Sequence, residues 1–494
     1  MTDADLSFAS ASALTAALAG REVSSVELLD HLLARIEGEG EEVNAFVTLD
    51  PEGARDQARA ADAARARGED LGPLGGLPMT IKDCFETAGL RTTAGAPFLA
   101  GHVPERDADA VARLRAAGAI VFGKSNVPML TADGQAYNDV AGTTNNPWDL
   151  GRTPGGSSGG AAAALAAGLT PLDLGSDIAG SIRIPASYCG VSGLKPSYGL
   201  IPLRGHIPGM PGTLADADLN VLGPLARDVE DLELAFDVLA GPTDADALAW
   251  RLQLPAARGR SLRDYRMTFW LDDEACPVDA EVVEALRRVV DALADAGARI
   301  EERPPPVPMA DSIRLHRSLL KGVACSGLDD AAFAALREYA AAADPDDHSV
   351  RADHARWLTM SKRDWNAVNE ERARARARWA EYFADHDAFL SPTILRTAIP
   401  HDQVGDLESR IITVNGEERP YWDQVSWIAP AGAAYLPAVS LPAGLGSSGL
   451  PVGLQVVAPY LEDRTAIDVA RRISAVVGGF TPPPRYAAAP AAGG

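Results

Sequence analysis

The sequence predicts an α/β fold. Three observations carry that expectation: short apolar runs alternate with stretches of helical period, glycines and prolines fall at the joins, and 47% hydrophobic against 23% charged residues is a globular balance. In chain order, the first fifty residues read as amphipathic helix, with a capping box at Ser24-Ser-Val-Glu27 ahead of Leu28, Leu29, Leu32, Leu33 and Ile36. A polar Ala/Arg/Asp helix follows at about 52–67. The loop Gly72-Pro-Leu-Gly-Gly-Leu-Pro78 feeds a short strand at 79–81 that ends on Lys82-Asp83. Residues 108–117 read as helix and stop at Gly118; 119–122 form a buried strand, and Gly123-Lys-Ser-Asn126 leaves its end. A helix at 229–239, a strand at 267–271, a helix at 282–293 and a strand ended by Pro304-Pro-Pro306 continue the alternation. One long helix is predicted over about 352–384, with Trp357, Trp365, Val368, Trp379 and Phe383 near one face and Arg372, Arg374, Arg376 and Arg378 on a solvated one. The tail at 487–494 is expected to be disordered.

The formal net charge of −23 argues against a general grip on nucleic acid and against an anionic membrane surface. Cys84, Cys189, Cys276 and Cys325 lie far apart with no Cys-x-x-Cys, so neither a zinc site nor a disulfide framework is expected. The eight histidines show no metal spacing, and no metal or other cofactor is expected. Met1-Thr-Asp-Ala-Asp-Leu6 places acid where a signal peptide needs positive charge, and the alanine-rich run at 161–167 is too short to span a bilayer. A soluble, cytoplasmic protein is expected.

Between 131 and 213 the chain is rich in Gly, Ser, Thr, Asn and Pro and poor in charge, a composition that marks function more often than slack in a long loop-like stretch. His-Glu-x-x-His is absent, and no Gly-x-Ser-x-Gly elbow supplies an α/β-hydrolase nucleophile. What remains is Pro154-Gly-Gly-Ser-Ser-Gly-Gly160, the alanine run, and Gly175-Ser-Asp-Ile-Ala-Gly-Ser-Ile-Arg-Ile-Pro185. A Gly-rich loop entering a helix can cradle an anion, yet neither loop carries the Walker ending or Gly-x-Gly-x-x-Gly. A purely structural turn also fits each loop taken alone. A serine nucleophile without histidine needs another base. A lysine serves only when neutral, which requires its pKa to fall from about 10.4 toward 7, roughly 4–5 kcal/mol. Lys82, at the end of an apolar strand, is a candidate base; its neighbour Asp83 offers an ordinary ion pair instead, and local sequence favours the pair.

Taken together, these segments resemble the amidase-signature family. Gly-Gly-Ser-Ser-Gly-Gly at 155–160 and Gly-Ser-Asp-Ile-Ala-Gly-Ser-Ile-Arg at 175–183 are similar to the two halves of its signature, and Leu77-Pro-Met-Thr-Ile-Lys-Asp83 to its lysine strand. The separations of 75 residues from Lys82 to Ser157 and 24 from Ser157 to Ser181 also match. Gly142-Thr-Thr-Asn-Asn-Pro-Trp148, Gly223-Pro-Leu-Ala-Arg227 and Leu450-Pro-Val-Gly-Leu-Gln455 extend the likeness over nearly the whole chain.

The resemblance implies an α/β/α fold with a large mixed central sheet surrounded by helices. It implies a single domain over 1–486, with a signature core at about 72–230 and a variable helical pocket region at about 305–385. It makes Ser181 the acylated nucleophile, Ser157, held by a cis peptide, the proton relay, and Lys82 the base. The backbone N–H groups of Ile178, Ala179, Gly180 and Ser181 would form the oxyanion hole, with Asp177, Arg183 and Ser158 supporting the loops. Ala179 stands where the family usually has glycine, which is tolerable if the residue avoids positive φ. Thr131, Tyr137, Ile207 and Trp427 are candidate substrate contacts, each of which also suits a core position.

The stretch 427–437 lacks an asparagine often seen in tRNA-dependent amidotransferase subunits, and the Trp357–Trp379 region looks more like stand-alone bacterial amidases. The expected activity is therefore hydrolysis of small apolar or aryl amides, with esters and carbamates as further substrates. The alternative is a glutamine-hydrolysing A-type subunit of a tRNA-dependent amidotransferase. The expected partner is a small-molecule amide, with neither nucleic acid nor membrane; the sequence leaves the oligomeric state open.

Overall fold

The computed structural model describes residues 3–487. Its centre is an eleven-stranded mixed sheet. The strands are β1 (Phe46–Leu49), β2 (Pro78–Lys82), β3 (Ile120–Ser125), β4 (Leu172–Asp177), β5 (Ser192–Lys195), β6 (Val221–Ala226), β7 (Arg266–Phe269), β8 (Arg299–Glu302), β9 (Ala388–Pro392), β10 (Ala438–Leu445) and β11 (Pro451–Val457). Their order across the sheet is β1-β3-β2-β4-β6-β5-β10-β11-β9-β7-β8. β2 runs parallel to both β3 and β4, β6 and β5 are antiparallel to their neighbours, and β7, β8 and β9 are mutually parallel in pairs. The central strands β2, β4, β5, β6, β9 and β11 are buried at every residue; β6 and β9 are runs of apolar or small residues, while β2, β4, β5 and β11 also bury Lys82, Asp173, Asp177, Lys195 and Gln455.

Helices cover both faces. Val229–Leu239, Ala280–Asp295 and Asp463–Val477 pack on one face against one another and the strands, burying stripes such as Val282, Leu286, Val289 and Leu293. Gly159–Ala166 and Arg183–Cys189 pack together on the other. Every residue of Gly159–Ala166 is buried, so its glycines and alanines are what allow a helix to lie this close to the sheet. Among the described residues no helix is long and apolar enough to cross a membrane.

Most of the expected elements stand within a residue or two. The capping box at Ser24 and Glu27 opens the helix Ser25–Glu39, and the helix at 229–239 has the expected bounds. Several expectations are corrected. The first fifty residues are not helix throughout, since Phe46–Leu49 pairs with β3 as the edge strand β1. Gly123-Lys-Ser continues β3 instead of leaving it, because Gly123 lets the backbone of Thr48 and the side chain of Leu49 approach where a Cβ would collide. The long helix over 352–384 is two helices, Val350–Leu358 and Lys362–Asp385, since Ser361 and Asp364 form a fresh capping box. Of the expected tail, Ala487 closes the short helix Pro484–Ala487, and 488–494 lie outside the described residues.

The arginine run in the second of those helices is not a uniformly solvated face. Arg372 is buried and paired with Asp218 at 2.7 Å, and its guanidinium lies over the Tyr435 ring at 4.5 Å. Arg376, one turn on, covers Tyr435 and Tyr460, while Arg374 and Arg378 face solvent. Residues four apart share a face, so an every-second-residue run is split between inside and outside. Arg372→Ala is expected to cost about 2–3 kcal/mol by leaving Asp218 without its cation, and Arg374→Ala less than about 0.5 kcal/mol. Urea unfolding of both variants checks the contrast.

Candidate active site

β2 presents different chemistry on its two sides. Alternation sends Met79 and Ile81 into the main apolar core and turns Thr80 and Lys82 the other way. Lys82 is fully buried, and its Nζ lies 2.8 Å from Ser157 Oγ, 2.9 Å from Ser176 Oγ and 3.3 Å from the Ser176 carbonyl oxygen. Burial lowers the pKa of this amine below its ordinary value, with Cys84, Asp177 and Asp173 pulling it partly back. Asp83, one residue on, points elsewhere. Its carboxylate accepts from Thr93 N–H at 3.1 Å and lies 3.9 Å from Lys124 Nζ. The Lys82–Asp83 pair that local sequence favours does not form, because neighbouring residues of an extended chain face opposite sides.

The two Gly/Ser loops meet above Lys82. Ser157 follows a cis peptide from Gly156, and a Cβ at Gly156 would lie 2.5–2.6 Å from the backbone of 133–135, so no larger residue fits there. Ser158 N–H donates to the Ser181 carbonyl at 3.1 Å, which joins the loop of Ser157 to that of Ser181. Ser181 is 9% exposed against 0% for Lys82 and 1% for Ser157, so of the three it is the one a substrate can reach.

Residues 177–183 are braced by a buried ion pair. Arg183 donates from Nε and Nη2 to the two oxygens of Asp177, both at 2.9 Å, and from Nη1 to Gln455 Oε1 at 2.8 Å and the Ile428 carbonyl at 3.1 Å. Burial alone would raise the Asp177 pKa, but Arg183 and the surrounding donors hold it well below the usual carboxylate range. The Gly180 N–H donates to Asp177 Oδ1 at 2.8 Å. That corrects the expected oxyanion set: Gly180 is committed, and Ile178, Ala179 and Ser181 remain as candidate donors. The positive φ of the turn falls on Gly180, at 95°, and not on Ala179, which explains why alanine is accepted there. His316, on the helix Met309–Ala324, donates from Nε2 to the Ile178 carbonyl at 3.1 Å and so fixes the direction of the Ile178–Ala179 peptide.

The candidate substrate contacts scatter. Thr131 ends a short turn, Met129–Thr131, and is half-buried. Tyr137 is half-buried with its hydroxyl 2.9 Å from Arg410, which pairs with Asp133 at 2.8 Å. Ile207 and Trp427 are core residues. Ile207 packs with Ala94, Ala96 and Leu99, and Trp427 is buried with its indole N–H on the Cys276 carbonyl at 3.0 Å. Sequence reasoning missed Ser176, His206 and His316 as neighbours of the site. Ser176 lies inside the quoted signature stretch, whereas the two histidines carry no local signal.

The Amidase family matches residues 27–467. The A-type subunit of glutamyl-tRNA(Gln) amidotransferase from Roseiflexus sp. (strain RS-1) is 35% identical over 473 residues, covering 92% of this chain and 93% of that protein. A bacterial aryl acylamidase of the amidase-signature family superposes with a TM-score of 0.80 at 25% identity over 97% of this chain and 98% of that one. The corresponding amidotransferase subunit from Thermotoga maritima superposes at 0.73, with 26% identity over 93% and 94%. The chain therefore belongs to the amidase-signature family, and it is a hydrolase of C–N bonds. The expectation of a small-molecule amide as partner, with no nucleic acid, is overturned: the curated relatives are named as subunits of a glutamyl-tRNA(Gln) amidotransferase. The net charge of −23 describes the whole surface and does not exclude a nucleic-acid contact at one patch of it.

The lowered pKa of Lys82 has a consequence for stability. Between its folded value and about 10.4 the unfolded chain binds more protons, so this residue makes stability rise with pH across that window. Lys82→Met removes the contribution. The variant's stability relative to the native chain is expected to be highest near neutral pH and to shrink toward pH about 10, as read from urea titrations at both ends.

Proposed function

We propose that the chain cleaves a carboxamide through an acyl-enzyme on Ser181, as the glutamine-hydrolysing subunit of a tRNA-dependent amidotransferase. The observation that carries this reading is the 35% identity to the Roseiflexus amidotransferase subunit over nearly the full length of both chains. Neutral Lys82 takes a proton from Ser157 as Ser157 takes one from Ser181, and Ser181 Oγ attacks the amide carbon. The N–H groups of Ile178, Ala179 and Ser181 hold the oxyanion, each donor stabilising the transition state by about 3 kcal/mol. Protonated Lys82 returns its proton through Ser157 to the leaving nitrogen, ammonia departs, and water releases the acyl group. An acidic chain suits this division of labour, with tRNA held by partner chains.

A second reading, cleavage of aryl or alkyl amides, is favoured by one observation. The aryl acylamidase superposes more closely than the Thermotoga subunit, at 0.80 against 0.73. Ammonia release from glutamine, set beside hydrolysis of anilides, alkyl amides, esters and carbamates, separates the two. Glutamine turnover that rises when the tagged chain is purified with partners from its host supports the first. Fast anilide cleavage with no glutamine turnover, with or without partners, overturns it.

Two variants probe the chemistry whichever amide is cleaved. Ser181→Ala is expected to abolish labelling by a fluorophosphonate, and mass spectrometry of the native chain should place the label on Ser181; a label on Ser157 or Ser158 contradicts the assignment. Lys82→Ala is expected to slow amide hydrolysis by about tenfold or more beyond its effect on a nitrophenyl ester, because only the amine leaving group needs a proton. That is a differential of about 1.4 kcal/mol. Equal losses mean that Lys82 only holds the site together.

A further inference from the structure

Around Lys82 the hydrogen-bond arithmetic is tight. An ammonium would donate to all three of its neighbours: Ser157 Oγ, Ser176 Oγ and the Ser176 carbonyl. A neutral amine has two N–H groups and one lone pair. The carbonyl can only accept, so one N–H goes there. The other N–H goes to one serine hydroxyl, and the lone pair receives the hydrogen of the other. Base chemistry requires that the lone pair face Ser157. Which arrangement holds is decided by where Ser176 sends its own hydrogen.

His206 takes that hydrogen. Its Nε2 lies 2.9 Å from Ser176 Oγ. The Pro208 backbone beside the ring favours its protonated form, and a proline backbone offers only a carbonyl, so the ring's N–H is turned toward it. With Nε2 occupied by Ser176, the donating nitrogen is Nδ1, and Nε2 is left as an acceptor. Asn220 Nδ2 lies 3.4 Å from Nδ1, and turning the amide end for end puts its oxygen there to accept the same N–H. The Phe85 ring packs edge-on to the imidazole at 5.3 Å and holds its plane. Burial and the nearby Lys82 keep the imidazole neutral by lowering its pKa well below the ordinary value. Beyond His206 and Lys82, the acceptor near the Ser176 hydroxyl is the weak Cys84 Sγ at 3.7 Å.

We propose that His206 is a positioning residue: by accepting the Ser176 hydroxyl hydrogen it makes Ser176 Oγ an acceptor for Lys82 and so directs the Lys82 lone pair at Ser157. The hydrogens then run one way, Ser157 to Lys82, Lys82 to Ser176, Ser176 to His206 and His206 to the Pro208 carbonyl. Without His206 the Ser176 hydrogen turns to the Lys82 nitrogen, which favours the neutral amine but occupies its lone pair. The groups facing Lys82 are Cys84, Asp173, Asp177 and His206, and none of the other three changes in that variant.

This inference rests on Lys82 acting as base, and the test separates the two. The rate of Ser181 labelling by a fluorophosphonate is measured from pH 5 to 10, which needs no knowledge of the natural substrate. In His206→Leu the plateau rate is expected to fall by about tenfold or more, with the acid limb displaced to lower pH by about one unit. His206→Gln, which keeps an acceptor oxygen, is expected to recover most of the rate and restore the limb. Ser176→Ala, which removes the hydroxyl that links His206 to Lys82, is expected to slow labelling about as much as His206→Leu. Lys82→Met is the control: native-like labelling there overturns the base assignment itself. Slow Lys82→Met with native-like His206→Leu overturns only the role of His206. A slower His206→Leu with an unmoved acid limb, or a Gln variant as slow as the Leu variant, also overturns it. Should His206→Leu fail to fold by circular dichroism, the Gln and Ser176→Ala profiles decide alone, native-like labelling in Ser176→Ala overturning the proposal.

Discussion

A buried amine has to be satisfied by the protein without being neutralised by it. That constraint on Lys82 organises much of what surrounds it. Three acidic residues lie close in sequence or space, and each is diverted. Asp83 turns to Thr93 and Lys124, and Asp177 is taken by Arg183. Asp173 accepts from Thr80 at 2.6 Å, and its burial pushes its pKa up to about 7. Among the described residues no ion pair to Lys82 is formed, and its neighbours are hydroxyls and a carbonyl. The pairing of charges elsewhere is what leaves this amine free to lose its proton.

The same diversion explains the rigidity of the loop over it. Arg183 reaches Asp177, Gln455 and Ile428 at once, so the turn at 178–181 is tied both to its own helix and to β11. His316 adds a hold from a different helix on the Ile178 carbonyl. A turn proposed to offer N–H groups to a reacting oxygen must keep its peptide planes fixed during the reaction, and buried partners that hold its carboxylate and carbonyl groups do that at low cost in later reorganisation.

What was legible in the sequence follows from the range of the interactions involved. Helices such as Val229–Leu239 and the cap at Ser24 are written locally, in periodicity and in a three-residue spacing. Lys82, Ser157 and Ser181 were visible through motif and spacing, although local sequence alone would have paired Lys82 with Asp83. The contacts of His206 with Ser176, 30 residues away, and of His316 with Ile178, 138 away, depend on how the chain returns to the site. The burial of Ile207 and Trp427 was illegible for the same reason: an apolar residue near a motif says nothing about which way it faces. The division of Arg372 from Arg374 shows that the run's composition was misleading where its helical phase was not.

The two Gly/Ser loops, the lysine strand and the His206 turn all come from one continuous stretch of the chain, about 77–208, and the side chains bonded to one another around Lys82 are drawn entirely from it. The elements that meet this stretch through His316, Arg410 and Tyr421 are encoded more than a hundred residues later. Inheritance can therefore act on the two parts at different speeds. Drift, insertion or selection in the later segment can proceed while the earlier one keeps the bonds around Lys82, so descendants of one ancestral gene can diverge around a shared centre.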